Sequence, residues 1–374
     1  MTHVVMLCDY RLQPDRVGGA DRFFWALQYR MLAAGWQATW LFPKESDYPH
    51  YAHHCFDIVL LPKSTFLEGA TDYLRERRGV DMLVSVFTSY ATRFPIEWKR
   101  LGVRRYLAVD QMSRPAAKRS LSKRARLALK GVLLYPFVTG IVAVSDFVRG
   151  AILRELGPYW SPKIRVIPNA VDTDLFYPSH GEPSGMLRPL HLVVVAHLIP
   201  EKGVQVLLQA LHQAGDRLPG MKVSIAGDGP FAAELKAITS SLGLQDCVTF
   251  LGNIAWQDEL LRSADIAVVP SLWQEGFGFT VIEAMASGVP VVASRIGGIP
   301  ELLNGGSSGE QSGLLVPPGD TPALADALVK LANDPSMRLK LGQVGRSFAL
   351  ERYGLARMAD GYFSLIKSML PESA

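Results

Sequence analysis

Two glutamates with glycines between them form the most chemically suggestive segment of this 374-residue chain. Glu275 and Glu283 bracket Glu275-Gly276-Phe277-Gly278-Phe279-Thr280-Val281-Ile282-Glu283, which follows the apolar run Ile266–Val269. The pattern predicts a strand, a glycine-containing loop that carries Glu275, and a helix over Thr280–Ala286 that carries Glu283. Such a spacing lets the two carboxylates reach opposite ends of one ligand. Glycines at 276 and 278 let backbone N–H groups approach an anion at the helix N-terminus, where the helix dipole also favours negative charge. Taken singly, a loop glutamate is more often a helix cap and a helical glutamate a solvated residue. Together with the glycines they describe a phosphate cradle.

A second cluster is basic. Arg114, Lys118, Arg119, Lys123, Arg124, Arg126 and Lys130 fall within Gln111–Gly131, which holds no acidic residue and runs into Val132-Leu133-Leu134-Tyr135. A basic, partly amphipathic helix across 114–135 suits anionic membrane headgroups or a polyprenyl-diphosphate-linked acceptor; the alternatives are a solvated face or a clamp for an anionic acceptor. The net charge of +4, from 39 Lys and Arg against 35 Asp and Glu, is too small to point to nucleic acid. No D-x-D-like pair accompanies the glutamates and no His/Cys/Asp cluster has ligand spacing, so neither an essential metal nor another cofactor is expected.

Short β-branched runs alternating with helical-period segments must position these groups, which is the pattern of βαβ units and parallel sheets. The first half offers strands at Val4–Cys8, Ala38–Phe42, Asp57–Leu60, Met82–Phe87, Arg105–Val109, Gly140–Val144 and Arg165–Ile167. The second offers Leu190–Ala196, Lys222–Ala226, Val248–Phe250, Ile266–Val269, Val291–Ala293 and Leu314–Val316, with helices at Val204–Gln213 and Phe231–Leu242. A Pro-, Ser- and Gly-rich stretch over Phe176–Pro189 reads as a linker. The expected organisation is an N-terminal unit over 1–176, a C-terminal unit over 177–354, and a last helix over 355–374 packing back on the N-terminal unit. In open parallel sheets ligands bind beyond the carboxyl ends of the strands, so two facing sheets put an active site in the cleft between them.

Composition agrees with this plan. With 48% hydrophobic and 20% charged residues the chain is globular, not disordered, collagenous or coiled-coil. Cys8, Cys55 and Cys247 are far apart, which encodes no disulfide framework and fits a reducing cytoplasm. Met1–Cys8 has no basic n-region, and no stretch reaches the ~20 apolar residues of a spanning helix, so any membrane contact is expected to be peripheral.

In these motifs the chain resembles the retaining glycosyltransferases of family 4. Glu275 and Glu283 match that family's paired-glutamate motif, and its other motifs have counterparts in order: Gly18-Gly19, Val144-Ser145, Val166-Ile167-Pro168-Asn169-Ala170-Val171-Asp172, Glu201-Lys202-Gly203, Ala226-Gly227-Asp228-Gly229-Pro230, Gly297-Gly298-Ile299-Pro300-Glu301 and Gly313–Asp320. The resemblance implies a GT-B fold, with two Rossmann-like domains facing each other across a deep cleft. It implies transfer of a sugar from a UDP- or GDP-sugar to a hydroxyl of a glycan or lipid-linked acceptor, as in bacterial cell-surface polysaccharide or lipopolysaccharide synthesis.

Carried over by residue, Glu283 receives the ribose hydroxyls and Glu275 meets the donor sugar. Backbone N–H groups of Phe277, Gly278 and Phe279 hold donor oxygens, Gly19 approaches the diphosphate from the other domain, Gly18 lies on the acceptor side, and Lys202 neutralises the departing diphosphate. Two positions depart from the family. His197 in Ala196-His197-Leu198 stands where an arginine grips the diphosphate, which makes pH-dependent turnover an expectation. In the N-terminal unit Asp110 replaces a histidine near the acceptor, as an orienting group or as a structural cap. Other readings are a GT-B-fold sugar-nucleotide epimerase and a catalytically silent nucleotide-sugar-binding subunit.

Overall fold

The computed structural model describes residues 2–13, 17–77, 79–112, 121–179, 189–304 and 309–370. All of its paired strands run parallel, in two separate sheets. The first holds β1 (His3–Cys8), β2 (Gln37–Pro43), β3 (Asp57–Leu61), β4 (Met82–Val86), β5 (Arg105–Asp110), β6 (Gly140–Ala143) and β7 (Ile164–Val166), in the order β3-β2-β1-β4-β5-β6-β7. The second holds β8 (His191–Val195), β9 (Lys222–Ala226), β10 (Val248–Gly252), β11 (Ile266–Val269), β12 (Val291–Ser294) and β13 (Gly313–Val316), in the order β10-β9-β8-β11-β12-β13. Strands covered on both faces read as continuous apolar runs, as in Val4–Cys8 and Leu192–Val194, each residue of which is buried.

The helices between strands of the first sheet are α1 (Gly19–Ala33), α2 (Phe66–Glu76), α3 (Phe94–Arg100), α4 (Leu121–Leu134) and α5 (Asp146–Leu156). Those of the second are α6 (Val204–Ala214), α7 (Ala232–Ser241), α8 (Gln257–Arg262), α9 (Phe279–Ala286) and α10 (Ile299–Leu303), followed by α11 (Thr321–Asn333), α12 (Pro335–Arg352) and α13 (Leu355–Met369). Ser145 caps α5, its hydroxyl accepting from Val148 N at 3.1 Å.

The two sheets share a polar staple at the amino ends of their strands. His3 donates its backbone N–H to Asp81, immediately before β4, and its ring meets Thr39 of β2 at 3.1 Å. His191 repeats this in the same register, with its N–H on Asp265 before β11 and its ring 2.9 Å from Ser224 of β9. In both sheets the order reverses beside the first strand, so the carboxyl ends of β1 and β4, and of β8 and β11, are the switch points where ligands bind in such sheets.

The described residues divide into two compact units: one contains those up to Asn169 and those from Leu355 on, and the other those from Ala170 to Gly354. The first crossing therefore comes earlier than 176/177. The reason is local: Val171 N donates to Tyr353 O at 2.8 Å, Asp172 Oδ1 closes a turn with Asp174 N, and Arg346 Nη1 holds Phe176 O at 2.7 Å, so 170–176 is built into the second unit. Residues 180–188 of the Pro- and Ser-rich stretch lie outside the described residues. On the return, α13 packs on α1. The Tyr362 and Phe23 rings are 4.8 Å apart, Arg30 pairs with Asp360, and Arg105 Nε donates to Met369 O at 2.9 Å.

Candidate active site

A lysine–glutamate pair lies at the switch point of the second sheet, on loops that leave β8 and β11. After β8 the chain makes a short 3-10 turn over Pro200–Lys202 and enters α6 through Gly203, whose φ is +70°. A Cβ at Gly203 would lie 1.9 Å from Pro270 O, so only glycine lets this loop rest on the backbone that leaves β11. Leu272 N and Trp273 N donate to Glu201 O at 2.7 and 3.2 Å and lock the two loops together. This lock sets Lys202 Nζ 2.6 Å from Glu275 Oε1, and Ser271 Oγ donates to the same oxygen at 2.8 Å.

From behind, the loop after β12 supports Glu275. Gly298 N donates to Glu275 O at 2.9 Å, and a Cβ at Gly297 (φ +60°) would fall 2.2 Å from that carbonyl oxygen. The Gly-Gly-Ile-Pro-Glu motif is thus a backbone seat for the glutamate loop. Gly278 N-caps α9 with φ +129°; Phe277 is buried against Phe279 and Tyr353, with ring centroids at 6.0 and 5.7 Å. The N–H groups opening α9 have no partner within the helix, which makes its first turn an anion-seeking end. Glu283 sits inside α9, buried, and its Oε2 accepts from Gln257 Nε2 at the start of α8.

The loop after β9 completes the wall. Gly227 (φ +121°) and Gly229 have no room for a side chain, since a Cβ would lie 1.9 Å from Ala196 O and 2.4 Å from Leu198 O respectively. That contact puts the Asp228 carbonyl oxygen 2.9 Å from Leu198 N and 2.7 Å from Nδ1 of His197, whose side chain is exposed.

The structure thus joins Lys202 to Glu275, and places His197, Phe277, Gly278, Phe279 and Glu283 in the same unit. Gly18, Gly19 and Asp110 belong to the other unit, at the carboxyl ends of β1 and β5. Gly18 N-caps α1 and donates to the buried Asp21 Oδ2 at 2.8 Å, an oxygen that also accepts from Tyr10 OH at 3.0 Å. Tyr51 OH donates to Asp21 Oδ1 at 2.9 Å, and burial together with that carboxylate pushes the Tyr51 phenol well above its usual range. Asp110 is 1% exposed and accepts from Tyr90 OH (3.0 Å) and Met112 N (3.1 Å). Through Met112 N it caps the turn after β5.

Sequence reasoning missed Ser271, Gln257, Asp21 and the Asp228 carbonyl. Only Asp21 carried a local signal, as an acidic residue three positions after the Gly18 cap. Each of the others acts on a partner brought to it by the fold.

Of the basic segment, α4 is described; Arg114, Lys118, Arg119 and the side chain of Arg124 lie outside the described residues. Leu129, Val132 and Leu133 on α4 are 61%, 57% and 59% exposed. With Ala125 they stand at helical i, i+4, i+7, i+8 positions and form an apolar stripe on the solvent side, flanked by exposed Lys123, Arg126 and Lys130. Among the described residues no helix is long and apolar enough to cross a membrane, and no group of three His, Cys, Asp or Glu is placed to hold a metal ion.

Two Rossmann-like parallel sheets in one chain, with lysine and glutamate paired on glycine-built loops at one switch point, define an α/β protein of the GT-B class. Residues 187–348 match the family described as Glycosyl transferases group 1. Among solved structures, Anabaena Alr3699/HepE in complex with UDP and glucose superposes with a TM-score of 0.80 at 20% identity, covering 98% of this chain and 100% of that one. WaaG, a glycosyltransferase involved in lipopolysaccharide biosynthesis, gives 0.73 at 17% identity, with 97% and 99% covered. An exopolysaccharide phosphotransferase of Streptomyces coelicolor is 30% identical over 300 residues, 79% of this chain but 30% of that protein. The GDP-mannose-dependent alpha-(1-6)-phosphatidylinositol monomannoside mannosyltransferase of Mycolicibacterium smegmatis is 32% identical over 228 residues, 57% of this chain and 58% of its own length. The chain therefore spans less than two thirds of these two relatives.

Proposed function

We propose that the protein is a retaining glycosyltransferase that moves a sugar from a UDP- or GDP-sugar to a hydroxyl of a glycan or lipid-linked acceptor in bacterial surface-glycan assembly. The observation that carries this reading is the Lys202–Glu275 pair at the β8/β11 switch point, beside the open N-terminus of α9. The donor diphosphate takes the N–H groups of Phe277, Gly278 and Phe279, and Lys202 supplies the cation that a metal provides elsewhere. Glu283, held by Gln257, receives the ribose hydroxyls, and Glu275 meets the donor sugar.

In the transfer, the bond from the anomeric carbon to the diphosphate breaks and its electron pair stays on the phosphate oxygen. The acceptor oxygen bonds to the same face of that carbon, and its proton passes to the departing phosphate. Lys202 and the α9 N–H groups face growing negative charge, so they stabilise the transition state more than the bound donor. The acceptor side is assigned to the first unit, where Asp21 fixes the Gly18-Gly19 turn.

The α4 stripe supports a peripheral seat on an anionic membrane from the cytoplasmic side: apolar side chains enter the interface while Lys123, Arg126 and Lys130 meet headgroups. Vesicle sedimentation tests it, with binding expected on anionic but not neutral vesicles and abolished by Leu129→Glu/Leu133→Glu. Equal partitioning to both vesicle types removes the membrane assignment.

A melting-temperature panel of UDP-, GDP-, ADP- and TDP-sugars, with and without EDTA, tests the donor site, because a ligand specific for the folded state raises apparent stability. The expected result is a shift with one nucleotide class that EDTA leaves unchanged. Wild-type protein that shifts with none of them, and consumes none with added lipid-linked acceptors, refutes the transferase reading.

A further inference from the structure

We propose that His197 makes donor binding proton-linked, because it can hold the donor diphosphate only as the imidazolium. The inference rests on the donor-site reading above and adds a control that an arginine at this position would lack. Its basis is the hydrogen bond at Nδ1. The Asp228 carbonyl oxygen, 2.7 Å away, accepts and never donates, so Nδ1 carries a hydrogen whether the ring is neutral or charged. In the neutral ring the second nitrogen, Nε2, then presents a lone pair. A phosphate oxygen is also an acceptor, and lone pair against anion is repulsive. Protonation of Nε2 turns the same edge into a charged donor. A guanidinium donates at every accessible pH, so the substitution of histidine for arginine exchanges a permanent grip for a conditional one.

The ring is held where it is by glycine packing. Gly227 and Gly229 bring the β9 loop onto the backbone at Ala196 and Leu198, and Leu198 N shares the Asp228 carbonyl at 2.9 Å. Asp228 Oδ1 accepts from Gly229 N at 2.8 Å, so its carboxylate bonds to its own loop and the ring meets a neutral carbonyl. The charged groups on the loops that meet here are Glu201 and Lys202 on its own loop, Asp228 on the β9 loop and Glu275 on the β11 loop. Lys202 and Glu275 pair with each other. His191, also in this unit, is at the opposite end of β8 on Ser224, and His212 Nδ1 is on Leu242 O.

The sign follows. Donor binding takes up a proton, so affinity is highest at low pH and falls as pH rises. A hydrogen bond to a charged group accounts for about a tenfold to hundredfold difference between the two limits. Titration calorimetry with intact UDP- and GDP-sugars measures it; their diphosphate has no ionisation between about pH 5.5 and about 8.5, whereas the terminal phosphate of a free nucleotide titrates near about pH 6. For the wild type we expect that fall in affinity between about pH 5.5 and about 8.5, with proton uptake in buffers of different ionisation enthalpy. His197→Arg should bind tightly and flatly across the interval, and His197→Asn flatly at the wild-type high-pH limit. Nitrogen-15 imidazole spectra should show His197 with Nδ1 protonated in the free protein and both nitrogens protonated in the complex. Measurable wild-type binding with a flat pH profile, or a free ring protonated at Nε2 alone, overturns the inference and leaves the donor site standing. No binding by wild type or His197→Arg at any pH removes the donor site, and the inference with it.

Discussion

Replacing Lys202 by methionine removes its charge while keeping most of the stem, so it isolates what the pair with Glu275 contributes. At 2.6 Å and an effective dielectric constant of about 20, the attraction is roughly 6 kcal/mol before desolvation is subtracted. The side chains are 29% and 13% exposed, between a surface pair worth about 0–1 kcal/mol and a buried pair whose rupture costs about 3–5 kcal/mol. Ser271 still donates to Glu275 Oε1 in the variant and shelters part of the charge. The expected net loss is about 2 kcal/mol, or a drop of about 4–8 °C in the melting temperature of a unit of this size. Turnover should fall further, by about 100- to 1000-fold, because the cation faces charge that develops during reaction. Glu275→Gln is the partner variant. If the two side chains act as one device, the double variant should be less destabilised than the sum of the singles by about 1 kcal/mol or more. Chemical denaturation and a donor-consumption assay give both readouts. Additive stabilities together with turnover within a few-fold of wild type would refute the pairing and the role built on it.

Gly203→Ala forces a side chain to φ +70° and onto Pro270 O; equilibrium denaturation should report a loss of about 2–4 kcal/mol, and a loss below about 1 kcal/mol would mean the β8 and β11 loops are not locked there. Gln257→Leu leaves the Glu283 carboxylate without its amide donor, so KM for the donor should rise about tenfold with a smaller change in kcat; an unchanged KM would separate Glu283 from the ribose. Burial holds the His3 imidazole below its ordinary range despite Asp57 and Asp81, so the folded state binds its proton later than the unfolded chain. Stability from this site is full above about pH 6.5 and is lost as pH falls through the lowered folded value. His3→Gln should flatten unfolding free energy across that fall, and an unchanged slope would assign it to other groups.

Much of the architecture was legible before any coordinates. Strands buried on both faces must be apolar throughout, so runs such as Val4–Cys8, Leu190–Ala196 and Ile266–Val269 announce themselves, and the βα alternation then implies parallel sheets. Glu275 on a loop and Glu283 in a helix also followed from local pattern, because glycines end regular structure and the apolar period restarts at Phe279. The crossing was misplaced for an equally local reason. The Pro-rich stretch after Phe176 looks like a linker, while the hydrogen bonds that hold 170–176 run to Tyr353 and Arg346, far along the chain.

What sequence alone determined about this protein is therefore the set of parts: two βαβ series, a glycine-lined glutamate loop, a lysine before a glycine, a histidine where an arginine is usual, and a basic helix. Tertiary structure decided which parts meet. Lys202 reaches Glu275 because β8 and β11 are neighbours and because Gly203 and Gly297, lacking a Cβ, let the loops after β8 and β12 rest on the backbone of the β11 loop. Asp110 became a buried cap rather than an exposed carboxylate because Tyr90 and the turn to Met112 close over it. The tautomer of His197 follows from a carbonyl on another strand's loop. Each outcome depends on contacts between residues distant in sequence, and backbone carbonyls, which every residue carries, leave no mark in the pattern of side chains.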